Sequence, residues 1–141
     1  DSWSGSLPAD EFITWCVEPV QKIIENIRRV YPNIPIIGFP KGAGAKLKNY
    51  IKKTKVTAVS IYTSMSTSWV RSTIQPLCTV QGNLDPLLLV SGGVALEKAV
   101  YHILDHLKDG GHVFNLGHGI IPQTPTENVK LVSDIILNYR R

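Results

Sequence analysis

The stretch Val113-Phe114-Asn115-Leu116-Gly117-His118-Gly119-Ile120-Ile121-Pro122-Gln123-Thr124-Pro125 decides how this chain is read. It opens as an apolar run, breaks off at a histidine between two glycines, and passes into residues that start a helix. That pattern predicts a buried strand with an abrupt end. Gly117 and Gly119 let the backbone bend tightly and let a ligand come close to His118. A second stretch repeats the plan, with Thr79-Val80-Gln81 running into Gly82-Asn83-Leu84-Asp85-Pro86. Two strands that finish in polar and glycine residues predict a barrel whose strand ends build a site.

Working outward, residues 10–30 show helical periodicity, with Phe12, Ile13, Cys16, Val17, Val20, Ile23, Ile24 and Ile27 on one face. Asp10 and Glu11 suit the positive end of that helix, and Arg28 and Arg29 its negative end. Pro19 is expected to kink the helix or split it in two. Strands are expected over residues 34–39, 56–62, 77–81 and 113–116. Helices are expected over the lysine-rich segment after Lys41-Gly42-Ala43-Gly44, over 66–75, over 93–108 and from Pro125 onward. Asp85-Pro86 reads as an N-cap followed by a first-turn proline. Thr124-Pro125-Thr126-Glu127 reads as a capping box, with Thr124 as the cap and Glu127 reaching back.

Strands alternating with helices imply parallel pairing under a helical cover. The strands are continuous apolar runs, as parallel strands buried on both faces are. Four strands, preceded by Asp1-Ser2-Trp3-Ser4-Gly5 as the end of another, fit a little over half of an eight-stranded α/β barrel. A doubly wound open sheet is the alternative. Residues 1–141 are therefore expected to form a single partial domain, with the chain a fragment of a longer one.

Composition narrows the partners. The chain is 43% hydrophobic and 18% charged, which suits a packed core rather than disorder. The apolar runs fall short of the length a membrane helix needs, so no membrane partner is expected. Net charge is +4, much of it on Lys46, Lys48, Lys52, Lys53 and Lys55. No aromatic residues are interleaved there for base stacking, so that segment reads as a solvated face and no nucleic-acid partner is expected. An anionic substrate suits the charge. The two cysteines, Cys16 and Cys78, sit in apolar surroundings and read as reduced core thiols, which points to the cytoplasm.

His118 is the strongest candidate for a ligand contact, since an imidazole can hydrogen-bond a carboxylate or carry a proton near neutral pH. A histidine that only pins its own loop is the structural alternative. His102 and His106 have i, i+4 spacing but lack a third ligand, and read as one side of a surface helix. His112 precedes a strand and is expected to be exposed. Asn83 and Asp85 could face the site, although Asp85 has a sufficient task as a cap. Ser2 could offer a hydroxyl at the first strand end.

These motifs together resemble the uroporphyrinogen decarboxylase family. Gln81-Gly82-Asn83-Leu84-Asp85-Pro86 resembles the end of that family's seventh strand. Asn115-Leu116-Gly117-His118-Gly119, with the pattern from Pro122 to Val129, resembles its eighth-strand signature. Asp1-Ser2-Trp3-Ser4-Gly5 resembles the end of its fourth strand, and Ile37-Gly38-Phe39-Pro40-Lys41-Gly42 the end of its fifth. The resemblance implies the C-terminal portion of a (β/α)8 TIM barrel, from the end of strand four through strand eight and a final helix.

It also implies removal of the four acetate carboxyls of uroporphyrinogen III as carbon dioxide, giving coproporphyrinogen III in haem synthesis. No metal or organic cofactor is implied, and a homodimer is. Protonating a pyrrole carbon would make the ring its own electron sink, and a closed cleft with preorganised donors would hold the multiply anionic macrocycle. Two substrate contacts map onto this chain, a fourth-strand hydroxyl at Ser2 and the eighth-strand histidine at His118. The family's arginine-bearing segment, pyrrole-facing aspartate and pocket tyrosine would precede Asp1, so no catalytic residue is assigned.

One departure is clear. Where the family usually has Gly-Leu-Asp-Trp, this chain has Ser60-Ile61-Tyr62-Thr63. Two other readings stay open: a related corrinoid methyltransferase, which would need zinc held by His and Cys, and a non-catalytic remnant that binds a porphyrin or a partner chain.

Overall fold

The computed structural model describes residues 3–139. Its first helical stretch is continuous through α1 (Ala9–Phe12), a π-helical turn (Ile13–Val17) and α2 (Glu18–Val30). Asp10 and Glu11 fall in the first turn and Arg28 and Arg29 in the last, where the helix dipole favours them. Pro19 neither splits nor ends the helix. It occupies the first turn of α2. Proline lacks an N–H and would crowd the carbonyl four residues earlier, at Trp15. The wider π turn lies over that residue and accommodates the misfit.

Among the described residues the sheet has four strands, β1 (Ile37–Gly38), β2 (Ala58–Ser60), β3 (Thr79–Gln81) and β4 (His112–Val113), in the order β1-β2-β3-β4. All three pairings are parallel. Consecutive order means that these strands have no reversal point of the kind that defines a doubly wound sheet. The helices between them are α3 (Leu47–Thr54), α4 (Thr67–Trp69) extended by a π turn (Val70–Ile74), and α5 (Pro86–Ser91) with α6 (Gly93–Leu107). Helix α7 (Thr126–Asn138) follows β4. Helix α2 packs on α3, α4 on α6, and α6 on α7, so the helices line up as one layer.

The ladders are shorter than the apolar runs that predicted them. Residues 34–39 yield the two residues of β1, because Pro35 and Pro40 bracket the segment and cannot donate to a ladder. The Ile36 N–H goes instead to the Thr57 hydroxyl, at 3.1 Å. His112, expected ahead of the last strand, lies within it. Paired backbone continues past β3 and β4: the N–H groups of Val80, Gly82 and Leu84 donate to the carbonyls of Gly111, Val113 and Asn115. A further bridge joins Leu84 to Leu116. The two stretches that looked alike in sequence thus lie side by side in register.

The core lies between sheet and helices. Val59 and Val80 are fully buried there, with Phe12, Val17, Leu47, Ile74, Leu96, Val100 and Leu107 from the helical layer. Asp85 caps α5 as predicted, its Oδ1 accepting from the Leu87 N–H at 2.9 Å. The capping box proposed for α7 does not form. The helix begins at Thr126 with Pro125 in the cap position, so Thr124 stands one residue too early and its buried hydroxyl has no hydrogen-bond partner among the described residues. The Glu127 carboxylate accepts from the Thr126 hydroxyl instead of reaching back. Among the described residues, no helix is long and apolar enough to cross a membrane.

Candidate functional site

Parallel strands in consecutive order send their carboxyl ends, and the loops that follow, to one rim. Three side chains from three of those loops meet there. Lys41 follows β1, Tyr62 follows β2 and His118 follows β4. The Lys41 Nζ lies 3.2 Å from His118 Nε2. It also sits 5.5 Å from the centre of the Tyr62 ring, a cation–π distance. The Tyr62 and His118 rings meet edge to face, with centres 5.9 Å apart. A lysine ammonium can only donate, so Nε2 is the acceptor and the imidazole proton is on Nδ1.

His118 opens onto a cavity of about 370 Å³ lined by Ser60, Gln81, Asn115, Gly117 and Gly119 together with the apolar Phe39, Leu116 and Ile120. Among the described residues, no acidic side chain lines it. Ser60 and Gln81 are register partners on β2 and β3, and the Gln81 amide donates to the Ser60 hydroxyl at 3.3 Å. Gly117 is required by a close approach: a Cβ there would stand 2.5 Å from the Thr63 backbone nitrogen. Gly119 faces open space, so its contribution is to leave His118 uncovered.

The loop that carries Tyr62 is fixed from below. Asn83 is 5% exposed, and its Nδ2 donates to the carbonyls of Tyr62 (3.2 Å) and Met65 (2.9 Å). Asn83 therefore positions the rim, and its neighbour Asp85 acts as the helix cap. His112 corrects an expectation. It is half-buried, and its Nε2 meets the Gly82 carbonyl at 2.8 Å, a bond in which the ring nitrogen donates. It braces the same turn from β4.

Ser2 lies outside the described residues. The segment just after it reaches the rim, since the Gly5 N–H and the Ser4 hydroxyl both donate to the Lys41 carbonyl at 2.9 Å. Lys46 ties the same segment down through the carbonyls of Gly5 and Leu7. His102 and His106 stack at 3.9 Å on α6, with Thr67 bonded to His102, and neither lines the cavity beside His118. Cys16 shares an apolar groove with Tyr50, and Cys78 precedes β3 at the end opposite the rim. Burial raises both thiols, Cys78 to about 11, and pushes the Tyr50 phenol to about 12. Among the described residues, no group of three or more His, Cys, Asp or Glu side chains could hold a metal ion.

Of the three side chains that meet at the rim, the sequence singled out His118 as a candidate contact and passed over Lys41 and Tyr62. The available signal was position: each stands just past an apolar run, as His118 does.

Comparison with known proteins bears on this rim. The family model described as Uroporphyrinogen decarboxylase (URO-D) matches residues 1–139. A uroporphyrinogen decarboxylase from Rhodospirillum rubrum is 49% identical over 136 residues, covering 96% of this chain and 39% of the relative. One from Novosphingobium aromaticivorans is 45% identical over 141 residues, covering 100% of this chain and 41% of the relative. One from Brucella anthropi is 48% identical over 136 residues, covering 96% and 40%. The chain thus spans about two fifths of the length of these curated relatives.

Proposed function

The chain belongs to the uroporphyrinogen decarboxylase family, and on that premise we propose that it supplies one wall of a decarboxylase for uroporphyrinogen III. The reaction removes four acetate carboxyls as carbon dioxide and leaves coproporphyrinogen III. In each step the bond between the acetate methylene and its carboxyl breaks, and the electron pair passes to a protonated pyrrole ring. A proton then replaces the lost carboxyl and the ring releases the proton it had gained, so each step consumes one proton and gives off one carbon dioxide. Residues 1–141 are the C-terminal portion of a (β/α)8 barrel in this reading, from the end of strand four through strand eight and the last helix. Support comes from the consecutive parallel order of the sheet and the single layer of helices.

One observation carries the reading. His118 opens on a cavity that no acidic side chain lines among the described residues, at the carboxyl ends of consecutive parallel strands. Such a wall suits a multiply anionic ligand. Ser60, Gln81 and Asn115 supply hydrogen-bonding groups beside the imidazole. His118 and Ser2 are the substrate contacts we propose. The reading also carries a homodimer, a cytoplasmic location and chemistry without metal or organic cofactor as proposals.

A chimera tests it. The matched region of the Rhodospirillum rubrum relative is replaced by this chain, and uroporphyrinogen conversion is followed by chromatography of the oxidised products. The chimera is expected to yield coproporphyrinogen, and His118→Ala to lower kcat/KM by roughly tenfold or more, the scale of one lost hydrogen bond to a charged group. A folded chimera that converts nothing, beside an active parent, refutes the proposal.

A further inference from the structure

Lys41 is the one cation that the structure places against His118 among the described residues, and nothing acidic accounts for its position. The described ion pairs are Arg71 with Asp109 and Lys130 with Asp134, and both are on the outer surface. The Lys41 ammonium instead meets a neutral imidazole nitrogen at 3.2 Å and the face of Tyr62 at 5.5 Å. A flexible lysine free to enter water is held here from two sides. Its backbone is held as well, through the bonds from Ser4 and Gly5 to its carbonyl. Tyr62 is fixed in turn by Asn83.

An ammonium has three N–H donors, and one is used on His118. The others have no acceptor among the described hydrogen bonds. The imidazole has the complementary need: with Nε2 occupied as an acceptor, its remaining donor is Nδ1, which has no partner among the described bonds. A carboxylate is the ligand that satisfies both, accepting from the ammonium and from Nδ1–H through its two oxygens or through neighbouring groups of one polyanion. The described cavity wall would not repel it, as no acidic side chain lines it among the described residues.

We propose that Lys41 is a further substrate-carboxylate contact of this site, preorganised by Tyr62 and setting the tautomer of His118. The assignment rests on the reading of the rim as a receptor for a polycarboxylate macrocycle, and its test separates the two. The probe is uroporphyrin, the stable oxidised macrocycle with eight carboxylates, titrated into the chain at low salt and followed by its fluorescence. Lys41→Met is expected to weaken binding roughly tenfold, and Lys41→Arg to hold it within about twofold, since charge and donors are kept. The Lys41→Met change leaves the backbone bonds from Ser4 and Gly5 intact, and thermal unfolding monitors the fold.

A second readout reports on positioning. In the unliganded protein, imidazole nitrogen shifts are expected to show the Nδ1–H tautomer of His118. In Lys41→Met they are expected to move toward Nε2–H. Equal affinity of the wild-type chain and Lys41→Met for uroporphyrin, with unchanged nitrogen shifts, overturns the Lys41 assignment and leaves the site reading standing. Failure of the folded wild-type chain to bind the probe overturns the site reading, and the Lys41 assignment falls with it.

Discussion

Val80 and Gln81 are neighbours on β3 and belong to different parts of the molecule. Val80 is fully buried against the helical layer. Gln81 points to the other face, bonds Ser60 and lines the cavity beside His118. The same division separates Val59 from Ser60 on β2. One face of the sheet carries stability and the other carries the site, one residue apart. The helix-facing side therefore needs volume and apolarity, whereas the rim face needs donors in fixed places.

The division is testable from its most sensitive point outward. Leu107 is fully buried in the helix-facing core, so Leu107→Ala is expected to cost about 2–5 kcal/mol in urea unfolding. Gln81→Ala on the open face is expected to cost under about 1 kcal/mol. Equal costs would erase the distinction.

Next comes alkaline pH, which acts on the buried side. Burial lifts Cys78 from 9.0 to about 11 and Tyr50 from 10.0 to about 12. In the unfolded chain both ionise at their ordinary values while the fold still holds their protons. Stability is then complete below about pH 9 and falls as the pH rises to about 12. Tyr50→Phe is expected to flatten the upper part of that fall, measured by unfolding at several pH values.

Rim changes should be smaller in stability and larger in function. Gly117→Ala drives a Cβ against the Thr63 backbone, at an expected cost of about 1–3 kcal/mol, with a displaced His118 ring signal by NMR. Asn83→Ala releases the carbonyls of Tyr62 and Met65. The expected cost is about 1–2 kcal/mol, with a broadened Tyr62 ring signal. Smallest of all is Lys130→Ala, which removes an exposed i, i+4 ion pair and is expected to change stability by under about 0.5 kcal/mol.

Some of this was legible in the sequence because its causes are local. The Asp85 cap and the alternation of strands with helices follow from side chains acting on their own backbone. The π turn before Pro19 was not legible, because proline announces a disturbance without saying how the chain absorbs it. The Thr124 cap failed for the reverse reason. Its motif was present, and the helix started one residue later than the motif requires. His112 was misjudged because its partner, the Gly82 carbonyl, lies thirty residues away.

The amino-acid sequence alone determined the class of fold, the parallel pairing and His118 as the residue to watch, since periodicity, glycine placement and strand endings act over a few residues. Tertiary structure alone decided who stands beside that histidine. Lys41 is 77 positions from His118 in the chain and 3.2 Å from it in space, and the order of strands in the sheet is what closes that gap.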